Sequence, residues 1–450
     1  MKKIYIKLTV LSLLLMVTAP KISSAQSYNM APALGRDVFL LNGMNPGVMM
    51  EGSFLVMPIL GQLSLDVTLP MTVNRAIIEN PDPTASARNL INIRDPKFIS
   101  SMKNNLTNVD FSLDIANFGI KFRERHMITF SIKARAISDI SLPDGAASFL
   151  AGNELGKMSS HHLNLGTNTM AFAEAAIGYT IEPMENLTVG IRVKYLAGLM
   201  NAYSNSTADL ILRDDMTYGV KGDIDMRVTG MSISSTGERK TKIGVNNGFA
   251  VDFGAEYAFD FRLRVGASVN DLGMIRWKNG YMTEMRSDPS VEYNFVGVEN
   301  LNQEGVNVFA ELWKDLRNSM NLVPEAGNPY TTMLSPKLNI YGTYGVDEAS
   351  RHTVSLNMIT RFNQPKVVKT DFTATAGYTY SNKNDTFRAI AGYTISSRLG
   401  SMLSAGVLTQ GSKAQFYFML DTAPGMFAGA YSGRSVGFRW GLTFFLGCNR

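Results

Sequence analysis

Leu187-Thr-Val-Gly190-Ile-Arg192-Val-Lys194-Tyr-Leu-Ala-Gly198-Leu199 is the stretch that decides the fold of this chain. Its odd positions, Leu187, Val189, Ile191, Val193, Tyr195, Ala197 and Leu199, are apolar throughout. The even positions, Thr188, Gly190, Arg192, Lys194, Leu196 and Gly198, are mostly small or charged. Successive side chains of a strand point to opposite faces, so this pattern predicts one continuous strand with an apolar face and a polar one.

The same alternation recurs outward from it. Ile128, Phe130, Ile132, Ala134 and Ala136 alternate with Thr129, Ser131, Lys133 and Arg135; Phe249 to Phe259, Leu263 to Val269, Phe372 to Tyr380 and Phe387 to Ile395 repeat the rule. Short turn-forming pieces separate the runs, at Arg123 to Arg125, Glu182 to Asn186, Phe259 to Phe261, Asp347 to Ser350, Ser381 to Asp385 and Gln410 to Lys413. Tight turns between long alternating strands predict antiparallel hairpins in series. Sandwich strands run to about 5 or 6 residues, whereas tilted membrane strands need about 9 to 11. Most of these runs are of the longer kind. Their apolar faces also end in aromatics, Tyr179, Tyr195, Tyr257, Phe259, Tyr344, Tyr378 and Tyr393, as an interfacial girdle requires.

A lipid-facing sheet satisfies its backbone only by closing on itself, so the fold class predicted is all-β, a single antiparallel up-and-down transmembrane barrel. There are 16 candidate strands, running from residues 62–74 through 186–199, 200–213, 217–234 and 245–259 to 435–446. Some of these can pair outside the membrane, so the expectation is about 14 barrel strands, within roughly 12 to 16, an even number.

Composition agrees with a membrane wall and excludes other classes. Of 450 residues only 18% are charged, below the roughly 25% of ordinary soluble domains. The formal charge of +5 does not point to nucleic acid. Lys2, Lys3, Lys7 and Lys21 fall in the first 25 residues, and without them 39 basic residues face 38 acidic ones. That opening segment predicts a signal peptide over residues 1–25: a positive start, an apolar run from Leu8 to Ala19, and Ser23 and Ala25 before Gln26, with cleavage between Ala25 and Gln26. The run is too short to span a bilayer as a helix. The only Cys, Cys448, has no partner for an internal disulfide. Export into the outer membrane of a Gram-negative bacterium is therefore expected.

Three segments interrupt the strand rhythm. Asn80 to Leu106 carries three prolines and a short helical pattern at Phe98, Met102 and Leu106. Asp144 to Leu165 is rich in Gly, Ala and Ser, and Ser287 to Pro329 holds an amphipathic pattern at Val308, Leu312, Leu316 and Met320. Insertions of this size predict external loops with short helices, or elements folded into the lumen. Residues 26–54 precede the first clear strand and are the candidate N-terminal periplasmic or plug segment; residues 55–450 make the barrel.

Several stretches resemble a known family. Asn42-Gly-Met-Asn45-Pro46-Gly-Val is similar to the Asn-Pro-Ala element near the mature N-terminus of Bacteroidota outer-membrane proteins in the fatty-acid-transporter-like (FadL/PorV-like) barrel superfamily, with Gly47 in place of the usual Ala. Gly190 to Gly198 and Ala267-Ser-Val-Asn-Asp271-Leu-Gly273-Met-Ile-Arg-Trp277 resemble two recurring strands of that group. Gly411 to Tyr417 and Arg439 to Gly447 resemble the end of a subgroup with no assigned function. The resemblance singles out Asn45, Pro46, Asp271, Gly273 and Trp277, and implies a non-enzymatic barrel.

No catalytic constellation is visible: the chain has no G-x-S-x-G elbow, H-E-x-x-H, C-x-x-C or P-loop. His161-His162, the best metal-like feature, reads as a solvated loop, and Asp209, Asp214 and Asp215 or Asp223 and Asp225 read as charged turns before they read as a Ca²⁺ loop. A Ser/His hydrolase would need His126 or His352 to face a Ser, and no cofactor or metal is expected. The polar strand face is more informative. Lys133, Arg135, Arg192, Lys194, Asp252, Glu256, Arg264, Arg388 and Arg439 are predicted to point into the lumen, where mixed signs suit a cross-barrel ion-pair network over a charge-selective constriction. These features leave two function classes. The first is a scaffold or accessory barrel with a largely plugged lumen that meets envelope or secretion partner proteins. The alternative is a FadL-like channel for hydrophobic small molecules, and both sit in outer-membrane lipid.

Overall fold

The computed structural model describes residues 29–58, 61–68, 77–79, 89–91, 107–141, 160–212, 218–233, 239–295, 317–318, 320–362, 370–397, 400–422 and 435–446. Fourteen antiparallel strands close into one barrel. β1 is made of two successive pieces, Ser53–Val56 and Gln62–Thr68; β2 is Thr107–Phe122, β3 His126–Ser141, β4 Ser160–Met184 and β5 Leu187–Leu212. β6 is Asn246–Ala258, β7 Leu263–Trp277, β8 Lys337–Gly345, β9 His352–Arg361 and β10 Asp371–Ser381. β11 is Phe387–Ser396, β12 Gly400–Gln410, β13 Ala414–Thr422 and β14 Ser435–Leu446. Each strand pairs with its sequence neighbours, and β1 pairs with both β2 (Phe54 opposite Gly119) and β14 (Phe54 opposite Phe445), which closes the seam. This is the fold class and strand number that the alternation predicted.

The two ends of the barrel differ. The tight turns after β2, β4, β6, β8, β10 and β12, together with the start of β1 and the end of β14, all lie at one end. Outer-membrane barrels keep short turns on the periplasmic side and long loops outside, so this is the periplasmic end. The outer wall is apolar: Ile177, Val193, Phe249, Leu356 and Ile395 are each more than half exposed, and the seven predicted girdle aromatics are all exposed. Between them along each strand stand the buried, mostly polar residues of the inner face.

Three boundaries differ from the sequence expectation. Residues 186–199 and 200–213 form the single strand β5, of 26 residues. At about 3.3 Å per residue it runs roughly 85 Å, far beyond an apolar band about 25 Å tall. Its outer part therefore needs other partners, and the expected strand over 217–234 supplies them in pieces. Asp225–Thr229 pairs with residues 201–204 of β5, and Tyr218–Asp223 with residues 207–212. Lastly, β4 begins at Ser160, inside the expected loop over 144–165, because the outer part of β5 templates it. The expected helices near Phe98 and Val308 lie outside the described residues, apart from a helical pair at Arg317 and Asn318.

The chain from Asn29 to Met50 is not part of the wall. It carries two short helices, α1 (Ala31–Leu34) and α2 (Phe39–Met44), and nearly every one of its residues is buried. Met30, Leu34, Leu40, Leu41, Met44 and Val48 cluster with Tyr341, Ile390, Leu408, Tyr417 and Met419 of the inner wall. Phe39, Met49 and Met50 cluster with Phe54, Val56 and Met127, the Phe39 and Phe54 rings lying 5.2 Å apart. Burying side chains of this kind contributes up to about 1.5–3 kcal/mol each, so this segment supplies two of the apolar clusters of the interior.

Candidate functional site

The periplasmic half of the lumen is built where that segment meets the inner strand faces. Helix α2 ends at Asn45, whose N–H donates to the Leu41 carbonyl at 2.8 Å. Asn45 then uses its side chain in both senses: Nδ2 donates to the Ala255 carbonyl (2.9 Å) and the Tyr341 hydroxyl (3.2 Å), while Oδ1 accepts the Gly47 N–H (2.8 Å). The Pro46 carbonyl accepts the Thr180 hydroxyl at 2.7 Å. These contacts need bare backbone below. A Cβ on Gly190 would overlap the Pro46 carbonyl, and one on Gly254 would overlap the Asn45 side-chain oxygen. A Cβ on Gly47 would stand 2.7 Å from the Ala255 backbone, which gives a physical reason for Gly where the resembling element carries Ala.

Beside this shelf lies a cluster of six buried charges. Arg135 holds both oxygens of Asp271 at 2.9 Å each and Glu174 at 2.9 Å. Lys194 reaches Asp271 and Asp252 at 2.8 Å each and Glu174 at 3.8 Å, and Arg192 reaches Asp252 at 3.3 Å. Three cations and three carboxylates balance one another, as a low-dielectric interior demands. Arg192 also donates to the Asn42 carbonyl (2.8 Å), the Gly43 carbonyl (3.1 Å) and Asn42 Oδ1 (3.0 Å), so it caps the last carbonyls of α2 and ties the segment to the network.

Asp271 reaches this cluster through a bulge. Val251 pairs with Leu272 but Phe253 with Val269, so Asn270 and Asp271 together oppose Asp252. Asp271 takes φ +60°, a left-handed conformation that Asp tolerates better than most residues, and its N–H donates to Asp252 Oδ1 at 2.8 Å. The extra residue turns two consecutive side chains inward and flips the parity of the rest of β7. Leu272 and Met274 then face outward, while Ile275 and Trp277 are buried, with Trp277 Nε1 donating to Thr332 at 2.8 Å. Gly273 lies against the backbone of Phe249 and Ala250, where a side chain would not fit.

The other predicted residues are spread around the lumen. Lys133 pairs with Asp114 at 3.4 Å, and its ammonium lies 5.5 Å from the Phe39 ring centroid. Arg439 pairs with Asp421 (2.5 Å) and Asp66 (3.4 Å), and so ties β13, β14 and β1 together across the seam. Arg388 grips Asp37 through two bonds (2.7 and 3.0 Å) and donates to the Leu34 carbonyl (2.9 Å), holding the bend between α1 and α2. Glu256 accepts the Tyr341 hydroxyl at 2.8 Å and stands 3.1 Å from Arg36 and 3.7 Å from Arg264. Ala25 and Gln26 lie outside the described residues.

Of the partners of these cations, sequence reasoning named Asp252 and Glu256 as lumen charges and Asp271 only through the family resemblance, and left out the rest. Glu174, Asp110 and Asp114 stand on inner faces that strict alternation along β4 and β2 would have reached. Asp271 could not be found that way, because alternation along β7 from Leu263 places it toward lipid. Two further buried pairs, Arg361 with Asp139 (2.8 Å) and Lys337 with Asp110 (3.4 Å), join strands that are not neighbours. His162 is on β4 rather than in a loop and pairs with Asp209 across the strand pair, both exposed. His126 and His352 bond to the Tyr179 and Tyr378 hydroxyls on the outer wall at 2.7 Å each, not to a Ser. Among the described residues no three His, Cys, Asp or Glu side chains converge as a metal site.

Fold and interior together define a transmembrane β-barrel of the outer-membrane type. Residues 46–421 match the model of a family of unknown function, DUF5723, and the chain belongs to that family. A search of the curated proteins finds no match. Among solved structures, the chain is similar to the Ralstonia pickettii toluene transporter TbuX (11% identity, 90% of this chain and 92% of that one, TM-score 0.44). It is also similar to the CymD monoaromatic hydrocarbon channel (9% identity, 95% and 99%, TM-score 0.47) and to a Pseudomonas aeruginosa FadL homologue (10% identity, 95% and 99%, TM-score 0.44).

Proposed function

We propose that this protein is a non-enzymatic outer-membrane barrel of a Gram-negative bacterium, exported by residues 1–25, whose lumen residues 26–54 plug and which serves as a scaffold or accessory component meeting envelope or secretion partners. One observation carries the reading. The segment from Asn29 to Met50 is bound to the wall by buried side-chain hydrogen bonds from β4, β5, β7, β9, β10 and β11, to the Pro46, Asn42, Met44, Asn29, Ala33 and Leu34 carbonyls. Releasing it would break these six hydrogen bonds and the two further ones that Arg192 makes to the Gly43 carbonyl and Asn42 Oδ1, a cost that disfavours spontaneous opening. Recording from the purified full-length protein in planar bilayers tests this: no steady conductance is expected, and a stable open level would overturn it.

A second reading, a channel for hydrophobic small molecules, has its own support. Ile137, Met170, Phe172, Leu196, Ile275 and Trp277 form a buried apolar cluster on the inner side of the outer half of the barrel, where a wholly ionic lumen would have none. Toluene uptake into proteoliposomes separates the readings: uptake above that of empty vesicles would favour the channel.

A further inference from the structure

The outer ends of β6 and β7 carry a group of cations on the outside of the wall. Arg276, Lys278 and Lys242 are all exposed. Arg276 shares the outward parity of Leu272 and Met274, and lies one position past the pair of Gly248 and Ile275, level with Asn247. Asn247 is ten positions along β6 from Tyr257 of the periplasmic girdle. At about 3.3 Å per residue and a tilt of roughly 40°, that is a rise of about 25 Å, the full height of an apolar band. Arg276 therefore stands at the outer headgroup level, with Lys278 and Lys242 just beyond it. Below them Phe249, Phe253, Leu272 and Met274 are exposed along the wall.

The backbone that carries these cations is fixed from inside. The buried Asn246 accepts the Lys278 and Asn279 N–H groups on Oδ1 (2.7 and 2.8 Å) and donates from Nδ2 to the Gly244 carbonyl (2.9 Å). The Tyr281 N–H donates to the Lys242 carbonyl at 3.1 Å, and the Lys242 ammonium lies 5.9 Å from the Tyr281 ring centroid. None of the three cations makes an ion pair with a described residue. The described carboxylates of this sector lie elsewhere. Asp252 and Asp271 are buried on the inner face. Glu284 stands opposite Arg227, itself opposite Tyr203, which is five positions beyond Gly198, the β5 partner of Asn246. Glu284 is also occupied, by Arg286 at 3.5 Å and Asn328 at 3.2 Å, and Asp225 is held by Arg227 at 2.7 Å. Glu325 pairs with Glu284 along the ladder, at the same distance from the rim.

We infer that this rim seats a phosphorylated glycolipid of the outer leaflet, of the lipid A class, with its phosphate among Arg276, Lys278 and Lys242 and its acyl chains along Phe249, Leu272 and Met274. Guanidinium and ammonium donors match phosphate oxygens, and exposed cations at headgroup depth attract anionic lipid. The apolar surface directly below suits the chains of the same molecule. A free phosphate would use the cations and leave that surface idle. The inference rests on the proposed outer-membrane placement, with the long-loop end outside, and stands apart from whether the lumen conducts.

Native mass spectrometry of the full-length protein in detergent, titrated with monophosphoryl lipid A, tests this. A saturable adduct is expected, weakened about fivefold or more in Arg276→Gln/Lys278→Gln. It should be unchanged in Lys383→Gln/Lys413→Gln, which removes the same charge from the periplasmic turns, and largely retained in Arg276→Lys/Lys278→Arg. Heat-modifiable mobility on SDS gels shows that each variant is folded. No adduct, an equal effect in both Gln pairs, or equal binding of phosphatidylglycerol overturns the proposal. Placement is read separately, by labelling Thr241→Cys in a Cys448→Ser background with a membrane-impermeant maleimide on intact cells. A labelled rim without lipid binding sinks this inference alone; an unlabelled rim sinks the placement, and the inference with it.

Discussion

Asp271 ties together two cations and the backbone of β7 in the buried charge cluster. Its carboxylate is held by Arg135 and Lys194, and its backbone N–H by Asp252. Asp271→Asn keeps a side chain that tolerates the left-handed backbone but leaves two buried cations short of a carboxylate. Losses of this kind run to about 3–5 kcal/mol, read as a lowered urea midpoint of unfolding in detergent. Gly254 tests the shelf instead. Gly254→Val drives a side chain into Asn45, and overpacking of this order costs about 1–3 kcal/mol, with faster proteolysis between α1 and β1 as the companion signature. Gly342→Ala is the control, since its nearest neighbour would be an ordinary 3.7 Å away.

At the scale of the element, the hairpin turns show how a strand pattern becomes a register. Arg123 and Glu124, between β2 and β3, both take positive φ (49° and 58°) without being glycine. Each bears a left-handed cost of about 1–2 kcal/mol, so Glu124→Gly is expected to stabilise the barrel by about 1 kcal/mol, measured by the same urea midpoint. In the turn between β8 and β9, the His352 N–H donates to Asp347 at 2.8 Å and holds that exposed carboxyl below the ordinary carboxylate range. The turn's contribution is therefore complete above the ordinary Asp value and is lost as pH falls through the depressed one. The His352 amide shift in an NMR titration should move only below the ordinary Asp value; movement centred at or above it would contradict the assignment.

At the scale of the whole molecule, the wall and its filling have separate sources of stability. The wall closes through backbone pairing between β1 and β14, with Arg439 bonded on both sides of the seam. The filling is a segment whose removal leaves that pairing untouched. A chain lacking residues 29–50 is therefore expected to insert and to keep its heat-modifiable mobility, and, if the proposed plug is what closes the lumen, to show steady conductance not expected of the full chain. Failure to conduct would mean that the ionic cluster and the outer loops close the lumen by themselves.

The wall was determined by the sequence alone. Lipid imposes a period of two on each spanning strand, and that constraint is local, so Leu187 to Leu199 reveals it without knowledge of any other strand. The inward direction of Lys133, Arg192 and Lys194 came from the same count. Tertiary structure alone decided which carboxylate meets which cation, since Arg361 and Asp139 are joined by closure of the barrel, and Arg388 and Asp37 by the seating of the N-terminal segment inside it, not by spacing along the chain. It also decided Asp271, because one bulge residue reverses the parity of everything after it, and the signal for that bulge lies in the conformation of a single φ angle rather than in any repeat. The seat of Asn45-Pro46-Gly47 was decided the same way. Its glycines matter for what a distant strand brings against them, a property of packing that no local pattern encodes.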